Sequence, residues 1–361
     1  MFSMLTTPSR LRSAWQGRIS GCLLGKPLEV PSFKKGRKSL LAYLQRVEAL
    51  PLRDYVPCRA GTLVERDSKP CCRGHIRRAE PDDDINYTVL ALLMLENHGR
   101  ALTTEDVARA WIRLVPAGTT WTAERAAYKT LLCEMADEFV NGAEPGFDLA
   151  RCSDNACNEW IGGQIRADLY GWVCPGQPEL AADLATRDAS LSHRNEGVYG
   201  AAFVAALGAA IPVTTDIDEA IRIALQHIPD NSGAANAVRL GLGLAAADNA
   251  VEQLHAEFAG MSPVHTLNNL AVVVWALSSA HEDFSAAIGN AVTAGWDTDC
   301  NGATVGGLFG LTGHPIPRHW TRPWAGRVGV SLAGLHELSL DALVARTMDV
   351  ARHLSDSAPP D

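Results

Sequence analysis

One stretch constrains this chain more than any other. Residues Asp297-Thr298-Asp299-Cys300-Asn301 run directly into Gly302-Ala303-Thr304-Val305-Gly306-Gly307. The glycines Gly302, Gly306 and Gly310 recur every four residues, so on a helix they form one smooth stripe. A glycine stripe makes a poor helix by itself. It makes sense where a second backbone packs against it. The two aspartates then stand at the N-terminus of a buried helix, where the dipole tolerates negative charge. Two readings of Asp299 are open at this point: a helix N-cap, or a ligand.

A second acidic cluster lies far away in sequence. Glu80-Pro81-Asp82-Asp83-Asp84-Ile85-Asn86 precedes the apolar run from Val89 to Leu95. Three adjacent aspartates repel one another, and a cap needs one. Two such clusters at the entrances of core helices suggest a shared hard cation. Oxygen ligands favour Mg²⁺, Mn²⁺ or Ca²⁺ over zinc.

Earlier in the chain, Gly17, Gly21 and Gly25 repeat the four-residue spacing within a helical pattern from Leu11 to Leu24. Pro27 is expected to end that helix and to leave Glu29 in an exposed turn. Residues 33–80 are basic and read as an irregular loop region that could cover the site. Asn158 to Asp168 has the look of a helix with close-packed glycines. Arg166 and Asp168 sit there among apolar residues, as structural ion pairs or as substrate ligands. Ser192 and His193 fall between two helices, where a polar side chain reaches a cleft. Helices are expected over Leu180–Ala189, Gly197–Ala210, Asp216–Gln226, Gly233–Ala247, Thr266–Ser279, Phe284–Ala294 and Leu338–Leu354, with 355–361 frayed. Asn268 and Asn269 lie early in a strongly apolar helix and need hydrogen-bond partners.

Period-two alternation is scarce, and no glycine-, serine- or proline-rich linker divides the chain. The expectation is all-α: one compact multi-helix bundle over 1–361. The formal net charge of −9 argues against a general nucleic-acid binder. No run reads as long and apolar enough to span a bilayer. Nine scattered cysteines and no leader pattern fit a reducing, cytoplasmic setting. No phosphate-binding loop, dinucleotide fingerprint or Gly-x-Ser-x-Gly elbow is present.

From Gly17 to Gly313 these residues resemble the ADP-ribosylglycohydrolase family, which includes the dinitrogenase reductase-activating glycohydrolases. That family carries an N-terminal Thr-Asp-Asp-Thr motif and a C-terminal Gly-Asp-Thr-Asp-Thr motif that together hold two Mg²⁺ or Mn²⁺ ions. The resemblance implies the same all-α bundle. It implies metal ligation by Asp82, Asp83, Asp84, Asp297, Asp299 and Cys300, with Glu29, which matches a flap glutamate, or Asp83 as the base. It implies substrate contacts from Ser192 and His193, which match a Ser-Leu-Thr-His segment, and from Asn158 and Gly162. The implied reaction is hydrolysis of an N- or O-glycosidic bond to the ribose of an ADP-ribosyl conjugate. A nucleoside N-glycosidase and a non-catalytic crystallin-like relative are the alternatives. Two departures stand out: Asp82 replaces the family's first threonine, and Cys300 replaces a metal-ligating threonine with a thiol, a poor ligand for Mg²⁺.

Overall fold

The computed structural model describes residues 7–356. Among them are sixteen α-helices, several 3₁₀ turns and two three-residue strands, so the all-α expectation holds. In chain order the helices are α1 Pro8–Arg46, α2 Leu63–Ser68, α3 Asp83–His98, α4 Thr104–Leu114, α5 Thr122–Glu134, α6 Asp168–Val173, α7 Pro178–Ala189 and α8 Asn195–Ala210. Next come α9 Ile217–Leu225, α10 Gly233–Gly243, α11 Ala250–Glu257, α12 Thr266–Ser279, α13 Phe284–Ala294, α14 Thr298–Gly310, α15 Arg318–Thr321 and α16 Leu340–Asp356. Strands β1 (Arg327–Gly329) and β2 (Glu337–Ser339) pair antiparallel, with Val328 opposite Leu338.

The two glycine stripes are partners. Helices α1 and α14 run antiparallel with their backbones in contact. A Cβ on Gly17 would lie 1.9 Å from the Gly306 carbonyl oxygen, and one on Gly21 would lie 1.8 Å from that of Gly302. At Gly25 the same atom would meet the Thr298 carbonyl oxygen at 2.2 Å. No side chain fits in such a gap, so the poor helix propensity of these stretches is offset by the contact it permits.

Helix α1 starts at Thr7, whose hydroxyl accepts a hydrogen bond from the Arg10 N–H at 3.2 Å. It continues through Pro27 and Pro31, and the only non-helical residue inside it is Gly36 (φ 71°, ψ 176°). The expected break at Pro27 is therefore corrected, and residues 33–46 of the supposed loop are helical on either side of a kink at Gly36. Tertiary contacts outweigh the local proline cost here. The Thr298 hydroxyl donates to the Gly25 carbonyl at 2.8 Å, and the Ser68 hydroxyl donates to that of Lys26 at 3.3 Å. The rest of 47–82 is irregular apart from α2 and a 3₁₀ turn. It is tied to β1 by Ala79, whose N–H donates to the Arg327 carbonyl and whose carbonyl accepts from Gly329.

Three further expectations change. The segment Asn158–Asp168 is not an α-helix but a 3₁₀ run over Ile161–Arg166. Its paired glycines are there for close packing: a Cβ on Gly162 would strike the Glu124 carboxylate at 1.9 Å. Residues 355 and 356 belong to α16, while 357–361 lie outside the described residues. One run, Asn195–Val213, is long and apolar enough by composition to cross a membrane. It is 83% buried inside the fold, so its alanines and glycines serve the core.

Candidate active site

Helix α3 opens with the acidic run. Asp82 is its N-cap: one carboxylate oxygen accepts from the Asp84 N–H at 3.1 Å, which leaves the other free to point inward. Asp84 is fully buried. Its carbonyl accepts from Arg18 Nε at 3.0 Å, Arg18 Nη2 at 2.7 Å and the Thr88 hydroxyl at 2.8 Å. Arg18 also donates to Asp168 Oδ2 at 2.6 Å. The guanidinium thus fixes the backbone at Asp84 and aims the side chain, whose Oδ2 has no hydrogen-bond partner.

The second half of the site comes from the α13–α14 junction. The chain reverses through Gly295 (φ 88°) and Trp296 (φ 58°). A left-handed tryptophan is strained by about 1–2 kcal/mol and must be held. Its ring stacks on His255 with centroids 4.0 Å apart, and its carbonyl accepts from the Ser32 hydroxyl at 2.8 Å. Asn269 clamps the start of α14. Its Oδ1 accepts from the Asp297 N–H at 3.2 Å and from Asn301 Nδ2 at 2.8 Å. Its Nδ2 donates to the carbonyls of Pro263 and His265, each at 2.8 Å.

These two halves meet at the point where the α1–α14 seam ends. Ligand atoms fall into three groups, the atoms within each lying no more than 4.8 Å apart: Asp84, Asp299 and Cys300; Glu29, Asp297 and Asp299; Cys22, Asp82 and Asp84. At their centre stands Lys26. Its ammonium is 2.8 Å from Asp82 Oδ2, 2.9 Å from Asp299 Oδ2 and 3.0 Å from Glu29 Oε2. Asp297 Oδ1, Asp299 Oδ1, Asp84 Oδ2 and Asn301 Oδ1 are buried and without a hydrogen-bond partner. A hollow of about 230 Å³ borders the cluster, lined in part by Lys26, Ser68, Glu80 and Asp82.

The electrostatics are those of crowded carboxylates out of water. Burial, reinforced by neighbouring carboxylates, pushes Asp83, Asp84 and Asp297 well above the ordinary range. Glu29 is pushed up to about 8, mainly by burial and by Asp299, with Lys26 pulling the other way. At Asp82 the balance reverses: burial raises it, but Lys26 together with hydrogen bonds from Asp83 and the Asp84 N–H brings it below the ordinary range. Burial also pushes the thiols of Cys22 and Cys300 up, so they stay protonated. A divalent cation would relieve this repulsion. The unpartnered oxygens of Asp84, Asp297 and Asp299 fit Mg²⁺ or Mn²⁺.

The structure therefore brings Glu29, Asp82, Asp84, Asp297, Asp299 and Cys300 together. Asp83 stands half-buried in the first turn of α3 and is in none of the three ligand groups. The four residues expected at the substrate go elsewhere. The Ser192 hydroxyl is buried and accepts from Arg166 Nη1 at 3.1 Å. His193 is buried, and its Nε2 accepts from the Gly163 N–H at 3.2 Å. Gly162 lies against Glu124, and Asn158 donates to the Ser153 carbonyl at 3.1 Å and accepts from the Arg194 N–H. The expectation that Ser192 and His193 reach a cleft is thus corrected: both face inward, onto the buried ion pairs of Arg166 with Glu124 and Asp188.

Four contributors escaped the sequence reading: Lys26, Arg18, Cys22 and Asn269. Lys26 and Glu29 are one helical step apart (i, i+3), a relation hidden once the helix is ended at Pro27. Asn269 carried a signal, since a buried amide needs partners, but nothing pointed to Asp297.

A family model described as ADP-ribosylglycohydrolase matches residues 4–351. No curated protein matches the chain. Among solved structures, one described as "ADP-ribosylglycohydrolase-related protein complex" superposes with a TM-score of 0.57 at 18% identity, covering 96% of this chain and all of that one. At that identity the likeness speaks for the fold.

Proposed function

The chain belongs to the ADP-ribosylglycohydrolase family, and from that premise we propose that it hydrolyses the glycosidic bond joining the ribose of an ADP-ribosyl group to its conjugate, using Mg²⁺ or Mn²⁺. The observation that carries this is the set of unpartnered buried oxygens on Asp84, Asp297 and Asp299, drawn from two distant stretches into one place. Leaving each such group unsatisfied costs about 1–3 kcal/mol or more when charged, a cost that a bound ligand removes.

The groups that would hold an ion are Asp84 with Asp299 and Cys300, and Asp297 with Asp299 and Glu29. When bound, a divalent cation polarises ribose hydroxyls and lowers the pKa of a water. The chain's own residues supply the rest. Glu29 is partly exposed at the rim, and a carboxyl held near 8 exchanges its proton close to neutrality, as a general base or acid requires. Asp83, half-buried in the first turn of α3, is the other candidate for that proton. Asn269 and Arg18 keep Asp297 and Asp84 aimed inward.

The test is mass-spectrometric detection of ADP-ribose released from an ADP-ribosyl-arginine substrate with Mg²⁺, then with chelator. Release should vanish with chelator, and Asp299→Asn should reduce it by more than ~100-fold, beyond what loss of an outer hydrogen bond to a metal ligand does. The helical circular-dichroism signal of the variant should stay at the wild-type level. Release that survives chelation would sink the metal assignment. A second reading, a smaller ribosyl nucleoside as substrate, is favoured by the hollow of about 230 Å³, below the roughly 300 Å³ at which pockets for larger ligands begin. Base release from plain nucleosides, with none of ADP-ribose, would select it.

A further inference from the structure

Lys26 stands where a cation belongs. Its ammonium makes three contacts of 2.8 to 3.0 Å with carboxylates from three places: the N-cap of α3, the first turn of α14, and Glu29 one step along its own helix. Asp299 is split between two tasks. Its Oδ2 meets Lys26, while its Oδ1 is buried and unpartnered. Asp84 Oδ2 and Asp297 Oδ1 are unpartnered as well: Asp84 shares a ligand group with Asp299 and Cys300, and Asp297 shares one with Asp299 and Glu29. The site therefore has a filled half and an open half, joined by one bridging carboxylate.

We propose that Lys26 is a built-in cation that takes the place of one of two metal ions, so that this chain binds a single divalent ion at the unpartnered oxygens around Asp299. The proposal deepens the metal-dependent function above and rests on it. Three features support it. An ammonium with three donors matches three carboxylate oxygens, each at ordinary charge-assisted hydrogen-bond length. Asp82, where the resembled family has a threonine, places a carboxylate oxygen 2.8 Å from the ammonium, a partner suited to a lysine. On the open side Cys300 sets a sulfur, a poor ligand for Mg²⁺, beside Asp84 and Asp299, so oxygens alone are left for one ion.

The experiment is equilibrium dialysis of the full chain against Mn²⁺, with bound metal counted by mass spectrometry and the loaded protein examined by electron paramagnetic resonance. The wild type should bind one ion per chain and give the six-line signal of an isolated Mn²⁺. Lys26→Met, and the charge-balanced pair Lys26→Met with Asp82→Thr, should bind two ions and give an exchange-coupled spectrum. Two coupled ions in the wild type would overturn the proposal and leave the metal-dependent function standing. One ion in wild type and in both variants would overturn it too, since Lys26 would not be what excludes the second. No bound ion in any of them would instead remove the metal-dependent reading itself. Two coupled ions in the wild type overturn the proposal even where neither variant folds.

Discussion

Two clusters of buried charge lie in this fold, and they are built on opposite principles. Around Arg166 each carboxylate touches the cation. The guanidinium meets Glu124 at 2.8 Å, Asp188 at 3.3 Å and the Ser192 hydroxyl at 3.1 Å, with Tyr87 and Trp111 rings at 5.4 and 5.1 Å. The Tyr170 hydroxyl donates to Asp188 at 3.0 Å. Around Lys26 the acids outnumber the base, and oxygens on Asp84, Asp297 and Asp299 are left over. Both clusters hold arginine or lysine with carboxylates, so residue type does not separate them. The surplus does. A cluster in which every carboxylate touches a cation specifies the fold, and one in which Asp297 touches none has room for an ion.

The contrast is sharpest in what each cluster does when a charge is removed. Arg166→Met should destabilise the protein by about 3–5 kcal/mol in urea unfolding, because Glu124 and Asp188 would be left buried without their cation. A change within about 1 kcal/mol, the size of an exposed ion pair, would show that Arg166 does not hold the closed cluster together. The open cluster should respond to ions instead. Mg²⁺ at a hundredfold excess over its Kd should add about 2.7 kcal/mol of stability, seen as a raised thermal midpoint. Asp297→Asn should abolish that rise, whereas the conservative Ser192→Ala, in the closed cluster, should leave it intact. Loss of the rise in both variants would merge the two regions into one site.

The smallest effect concerns acid. Burial, helped by Arg166, holds His193 well below the ordinary imidazole range, so the folded protein keeps it neutral. A depressed folded value means that its contribution is complete above the unfolded pKa and is lost as pH falls towards the folded one. Below about pH 6.5 the unfolded chain takes up a proton that the folded chain refuses, which costs ~1.4 kcal/mol per pH unit. His193→Asn should flatten the stability profile by that slope between about pH 6.5 and 5. An unchanged slope would mean that His193 is protonated in the fold and belongs to an open, solvated place.

Much of the fold was legible because it rests on periodicity. Thr266–Ser279 and Phe284–Ala294 are helices over the residues that the apolar pattern marks. The acidic pairs were legible because a cap needs one carboxylate and these stretches offer several. The features that stayed hidden depend on distant contacts. Pro27 reads as a helix end by local rules, yet Thr298 and Ser68 hold the helix on from outside. Ser192 and His193 lie between helices, but spacing says nothing about which way a side chain turns, and Arg166 turned them inward. Lys26 was hidden for the first of these reasons: until α1 is known to continue, the lysine and Glu29 have no common face.

The seam of glycines between α1 and α14 bears on how such a chain can change over time. Lys26 and Glu29 come just after one stripe, and Asp299 precedes the other, so the distance between them is set by backbone touching backbone. There is no side chain in that seam to be trimmed or enlarged. Most cores drift by exchanging one apolar residue for another of similar volume. Here that freedom is absent, and Gly306, about 10 Å along the helix axis from Asp299 at 1.5 Å per residue, is as much a part of the site as its carboxylates. Adaptation to a new substrate is thereby channelled away from the helix pair and towards the irregular stretch between Val47 and Asp82, where the walls of the hollow can be rewritten without moving its floor.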